Sequence, residues 1–215
     1  STARNRAIAE ARAPLIALLD GDDLFRPGYL AAMVAAMEVD PGACIATCNA
    51  RVFGAVSSES EVVGPAQNRE STGSLADLLA GRFNIYIGST FRRADFEAIG
   101  GFDPAMTHAE DLDLWVRLLL NGGHATYVDA LLGDYRVRGV SASRNMLKMI
   151  HGNMRVYDKV IAARIGAIQI SVMDASENRA ARIIDAMQNF FCLIPGTHML
   201  ASIFCFVLIG LTQQG

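Results

Sequence analysis

The chain has 215 residues, 52% hydrophobic and 19% charged, enough length and apolar content for one globular domain with a real core; a repeat array or disordered chain is excluded. Its formal charge is −3 and its 19 Lys and Arg are scattered, so no nucleic-acid partner is expected. Four cysteines, Cys44, Cys48, Cys192 and Cys205, are too badly spaced for a disulfide framework or a paired CxxC zinc site, which fits a reducing cytoplasm. No charged-then-apolar leader opens the sequence, and Ser1 in place of Met is what a fragment or processed product would show.

Residues 2–13, rich in Ala and Arg, predict an amphipathic helix stopped by Pro14, and 15–19 a continuous apolar strand of the kind found in a covered parallel sheet. Pro27 suits the start of a helix over 28–37 with Leu30, Met33, Val34 and Met37 on one face. A strand is expected over 43–48. The stretch 54–73, with four serines, Pro65, Gly64 and three acidic residues but no period, reads as a mobile surface loop. Ser74 should cap a short helix through Leu79, and 85–91 is strand-like.

Gly100, Gly101, Phe102 and Asp103 form a turn before a helix that opens at Glu110, carries Leu112, Trp115, Leu118 and Leu119 inward, and closes at Asn121, Gly122 and Gly123. Short strands are expected at 125–128 and 134–137, and Ser141 or Ser143 should cap a helix from about Arg144 into the Arg164 region. The domain reading is 1–145 catalytic, 146–189 a helical extension and 190–215 an apolar tail. Within that tail the clean run 199–211 is shorter than the roughly 20 residues of a spanning helix, leaving open a membrane-associated segment or a buried helix. Were it to insert, Arg179 and Arg182 would put the domain on the cytoplasmic face.

The chemistry concentrates where the apolar run 15–19 meets Asp20, Asp22 and Asp23. Two carboxylates about 4 Å apart at an effective dielectric near 20 repel by roughly 4 kcal/mol, so such a cluster calls for a cation, and Mg²⁺ or Mn²⁺ suits the oxygen donors. An Asp-rich turn before Pro27 is the plainer alternative. The second acidic group, Glu110, Asp111 and Asp113, is what any helix N-terminus favours. Trp115 reads as a core anchor and Cys44 and Cys48 as buried apolar residues; His108 is a solvated loop side chain or one that touches acceptor or metal, and Arg92 and Arg93 are solvated or paired side chains or ones that reach a phosphate.

The series ARNRAIAEARAPLIALLDGDD, GGFDPAMTHAEDLDLWVRLLLNGG and DYRVRGVSASRN, in that order and spacing, resembles the family 2 glycosyltransferases, inverting nucleotide-sugar enzymes of the GT-A fold, over about residues 1–156. The resemblance implies an α/β fold, Rossmann-related, with a mixed, mostly parallel sheet flanked by helices. It makes Asp20 and Asp22 the DxD residues that hold Mn²⁺ or Mg²⁺ and the donor diphosphate, with Asp23 beside them. Asp111, in the Glu110–Asp111 pair, falls where the family places its catalytic base. Arg4 and Asn5 match the segment lining the nucleotide side, and residues 100–103 the loop before the acceptor. A nucleotide-sugar donor and a hydroxyl acceptor are the implied partners.

Three departures accompany it. Arg138 stands where the family pattern usually has histidine, and a guanidinium can contact phosphate as a cation but cannot ligate a metal. The QxxRW signature of processive members is absent. Family members open with βα units that carry the nucleoside pocket, and two of these, on the order of 60 residues, are not in the sequence, so a truncated enzyme or an inactive remnant acting only by binding are both expected alternatives. A HAD-type phosphatase, whose nucleophile motif also ends an apolar strand as DxDx and then Thr or Val, is the rival from another class, but Leu24 fills that last place and the downstream acid on offer, Asp134, is followed by Tyr135, Arg136 and Val137 with no second acid. An EF-hand fails for want of the glycine and third oxygen ligand after Asp22.

Overall fold

A computed structural model describes residues 1–56, 58, 60–138 and 146–167 of the chain. Helix α1 (Thr2–Ala9) ends earlier than 13, in a turn at Glu10 where the Ala11 amide donates to the Ile8 carbonyl at 3.0 Å. Strand β1 (Leu15–Ala17) then meets the Asp20–Asp23 turn, closed by the Asp23 amide donating to the Asp20 carbonyl at 3.0 Å. Strand β2 (Leu24–Phe25) leads into helix α2 (Tyr29–Val39). There Tyr29, Met33 and Met37 are the buried row, while Leu30 and Val34, expected inward, are exposed. Phe25 and Tyr29 fix that rotation: their rings stack at 3.7 Å, and the Tyr29 hydroxyl bonds the Gly88 carbonyl.

The sheet is mixed, as expected, with order β1, β6 (Thr90–Arg92), β3 (Ala43–Gly54), β7 (His124–Val137), β2. Parallel pairing is confined to β3 and β7; the other pairings among the described residues are antiparallel, including that of β1 with β6, where the run 15–19 suggested a parallel strand. The two short strands expected at 125–128 and 134–137 are one strand, whose register against β3 jumps at Asn49, where β7 bulges. Of the strand-like stretch 85–91 only Thr90 and Phe91 join a ladder. The Tyr86 amide and the Ser89 hydroxyl bond the Thr47 hydroxyl instead, at 3.1 and 2.7 Å.

Stretch 54–73 is structured at several points. It contributes β4 (Ser60–Glu61) to β3 and β5 (Thr72–Gly73) to β7, and buries Val63, Gln67 and Asn68. Gln67 donates to the Gly81 carbonyl at 3.0 Å, and Asn68 exchanges bonds with the Asn84 backbone at 2.9 and 2.7 Å. Amide anchoring of this kind leaves no hydrophobic period to read. Helix α3 (Leu75–Leu79) has the expected Ser74 cap, completed by Asp77 into a capping box. Helix α4 (Arg93–Ala98) was not foreseen, and helix α5 (Glu110–Leu120) opens where expected and buries Trp115 at its centre.

Helix α6 (Met146–Ala167) buries Val156 and Val160 in the same core as α5; residues 141–145, and so the Ser141 or Ser143 cap, lie outside the described residues, as does the tail 190–215. No helix among the described residues is long and apolar enough to cross a membrane. Alternation along β3 divides the core: Ala46, Cys48 and Ala50 pack with α2, whereas Ile45 packs with Phe91, Trp115 and the helices α4 to α6. Cys44 and Cys48 are buried free thiols, as read.

Asp134, the phosphatase reading's downstream acid, has a structural task. Arg26 grips both its oxygens at 2.7 and 3.1 Å and Arg51 adds a bond at 2.9 Å, fastening β2 and β3 to β7. Those bonds, Arg26's first, hold its carboxyl below the ordinary 3.8. A depressed carboxyl stabilises above its unfolded value and loses that contribution as pH falls through the native one. Asp134→Asn is therefore expected to cost roughly 1.5–3 kcal/mol in urea unfolding at pH 7. The gap from wild type should shrink as pH falls below the ordinary 3.8; an unchanged gap in acid would argue against ion pairing as its source.

Candidate active site

The turn between β1 and β2 delivers Asp20, Asp22 and Asp23 to the end of the sheet where β7 finishes, and each meets an arginine or its backbone. Arg4 on α1 is the junction. Its Nη2 pairs with Asp20 Oδ1, its Nη1 reaches Glu110 Oε1 at 3.2 Å, and its guanidinium lies 5.5 Å from the Phe102 ring centre. One side chain thus joins the first acidic cluster to the second, Glu110 lying 106 residues from Arg4 in sequence.

Asn5, beside it, uses both ends of its amide on Phe102: Nδ2 donates to the carbonyl at 2.8 Å and Oδ1 accepts from the amide at 2.9 Å. It thereby fixes the Gly100–Gly101–Phe102–Asp103 turn, where both glycines have positive φ and a Cβ on Gly101 would press on Asn5 and Phe96. Past this turn Ala109 sits in the left-handed region at φ 55, uncommon for a residue with a Cβ, and the kink starts α5 with Glu110 on Arg4 and Asp111 next to it in sequence. Asp111 Oδ1 accepts from the Leu112 amide at 2.9 Å. Burial, and next the neighbouring Glu110 charge, push the Asp111 carboxyl above its ordinary range.

On the other side, Arg138 Nε pairs with Asp22 Oδ2 at 2.7 Å. Two positions earlier, and so on the same side of the extended chain, Arg136 donates from Nε to the Asp22 carbonyl at 2.9 Å and from its backbone amide to Asp23 Oδ1 at 2.8 Å. Its guanidinium is stacked 4.4 Å from the Phe53 ring centre. Sequence reasoning missed Arg136; the alternating YRVR at 135–138 was the available signal. Asp23 is 5% exposed, and burial pushes its carboxyl up to about 6. His108 hydrogen-bonds the Thr107 hydroxyl, Arg92 binds the carbonyls of Met37, Pro41 and Ala43, and Arg93 binds Ala11 and Glu97.

Carboxylate oxygens are the right hardness for Mg²⁺ or Mn²⁺. Asp20 and Asp22 each already carry a guanidinium, however, and Asp23 is turned into the protein. Among the described residues no three His, Cys, Asp or Glu converge as a ligand group. The residues as arranged do not fit a three-carboxylate ion.

A mixed sheet between two helical layers, with an acidic turn at the end of β1 and an acid pair opening α5, defines a GT-A-like α/β fold. The chain belongs to the glycosyltransferase-like family 2, whose profile matches residues 1–159. It is similar to solved structures of S. aureus TarS. Residues 1–349 of that protein in complex with UDP-GlcNAc align with a TM-score of 0.55 at 12% identity, covering 89% of this chain and 61% of that one. The same TarS segment alone gives 0.53 at 12% identity over 90% and 60%, and with UDP 0.51 at 13% over 90% and 60%. At such identities the likeness is one of fold. The chain spans about three fifths of the length of these TarS chains. Among curated proteins none matches it significantly.

Proposed function

We propose that the chain carries the catalytic site of an inverting glycosyltransferase, transferring a sugar from a nucleotide diphosphate sugar to an acceptor hydroxyl of a glycan, lipid or protein, in the cytoplasm. The observation that carries this reading is Arg4, which touches Asp20 and Glu110 at once and so brings the diphosphate end and the acid pair to one place. TarS structures with UDP-GlcNAc and UDP make a uridine donor the first to try.

In this reading Arg4 and Arg138 face the donor diphosphate, held in position by Asp20 and Asp22, while Asn5 keeps the 100–103 turn in place beside the acceptor. Asp111 takes the proton of the acceptor hydroxyl, whose oxygen bonds the anomeric carbon from the face opposite the diphosphate. The bond from that carbon to the phosphate oxygen breaks, and the nucleoside diphosphate leaves with the electron pair. A single displacement inverts the anomeric centre. Burial supports Asp111 as the base, since a carboxyl raised toward the working pH accepts a proton more readily, and Glu110 contributes through its charge. A divalent ion at Asp22 would have to displace Arg138. Membrane contact through 190–211 rests on the sequence alone.

The test is release of nucleoside diphosphate from a panel of nucleotide sugars supplied with glycan, lipid and peptide acceptors, with the product's anomeric configuration read by NMR. One donor turned over with inversion supports the reading. Retention of configuration, or no turnover of any donor by the folded protein, contradicts it.

A further inference from the structure

Sequence and structure disagree about what neutralises the aspartates. The acidic turn demands positive charge, and the structure supplies it from β7 and its exit: Arg136 on the Asp22 carbonyl and the Asp23 carboxylate, Arg138 on the Asp22 carboxylate. The Arg138 side chain is 61% exposed against 28% for Asp22, so the guanidinium stands on the solvent side of the carboxylate, where a ligand arriving from solution meets it first. A guanidinium has five N–H donors in a planar fork matched to phosphate oxygens, and Nε is the one placed on Asp22. Arg4 adds a second cation at Asp20, with its other terminal nitrogen on Glu110. The two cations would flank a diphosphate without needing a third.

We infer that Arg138 occupies the place of a divalent ion at Asp22, so that the donor diphosphate is bound through guanidinium groups and its binding does not require Mg²⁺ or Mn²⁺. This rests on the glycosyltransferase reading above and goes beyond it, since that reading holds with or without a metal. Asp22 then orients Arg138 rather than ligating an ion, and a histidine at 138 should recreate a metal-dependent site, because imidazole is a metal ligand and guanidinium is not.

Two measurements on the full chain test it. Mn²⁺ titration followed by electron paramagnetic resonance should show no tight site in wild type and a new one in Arg138→His. Calorimetric titration with uridine diphosphate and guanosine diphosphate as probes, in EDTA and in Mn²⁺, should give wild-type affinities within about threefold of each other, whereas Arg138→His should lose about tenfold or more in EDTA and recover with Mn²⁺. Arg138→Lys keeps the charge and should remain indifferent to the metal; it serves if the histidine variant does not fold. Wild-type binding that appears only with Mn²⁺, or a tight Mn²⁺ site in the wild type, overturns the inference while leaving the glycosyltransferase reading intact. Failure of wild type to bind either nucleotide under either condition overturns the inference, while the glycosyltransferase reading is decided by the donor panel.

Discussion

Asp111→Asn is expected to lower turnover by about 10² to 10⁴ while leaving donor affinity within a factor of about three. The substitution preserves shape and the acceptor for the Leu112 amide, and it removes only the ability to take a proton. Wild type should also lose turnover on the acid side, as Asp111 is protonated, and burial with the Glu110 charge places that limb above the ordinary carboxyl value of 3.8. The limb should be missing from the variant's residual activity. Turnover within a few-fold of wild type would remove Asp111 from the role of base.

The second large effect concerns what holds α5 in position. Asp113 is 1% exposed, and Lys159 of α6 reaches its Oδ1 at 2.6 Å while Arg117 reaches Oδ2 at 2.9 Å. Lys159 also pairs with Asp103 at 2.6 Å, holding that carboxyl below its ordinary range, and Arg117 bonds the carbonyls of Ile99 and Gly101 at 3.1 and 2.7 Å. This network ties α6 and α5 to the turn that Asn5 also grips, so it sets where Glu110 and Asp111 stand. Lys159→Met leaves a buried carboxylate short of one cation and should cost about 3 kcal/mol, or roughly 6 to 12 °C in melting temperature. Adding Asp113→Asn should recover at least about 1 kcal/mol of that loss, because the charge left behind is then gone. A melting temperature unmoved by Lys159→Met would show that the pair adds nothing net.

The features legible in the sequence are those written in adjacent residues. The acidic turn after β1, the Ser74 cap, the acid-opened α5 and the buried Trp115 each depend on a handful of neighbours. Features made by distant partners were not. The bulge of β7 opposite Asn49 is a property of the pair β3 and β7, so residues 129–133 read as a break between strands. Gln67 and Asn68 bury amides whose partners, Gly81 and Asn84, lie well downstream, and an amide satisfied inside looks in sequence like one in solvent. Repulsion among Asp20, Asp22 and Asp23 is legible in the turn itself. It required positive charge without saying whose, and Arg136 and Arg138 are more than 110 residues away. The same holds for Arg4 and Asn5, read as a nucleotide-lining pair: the structure puts Arg4 between two carboxylates and Asn5 on the Phe102 backbone.

The proposal stands on the carboxylate at the end of β1 and the acid pair of α5 forming one active site, joined by Arg4 on its donor side. Calorimetric titration of a panel of nucleotide diphosphate sugars into the full chain and into Arg4→Met tests it most directly. One member of the panel is expected to bind the wild type and to bind the variant about tenfold or more weakly. Equal affinity in the two proteins, or no binding of any nucleotide sugar to folded wild type, would contradict the claim.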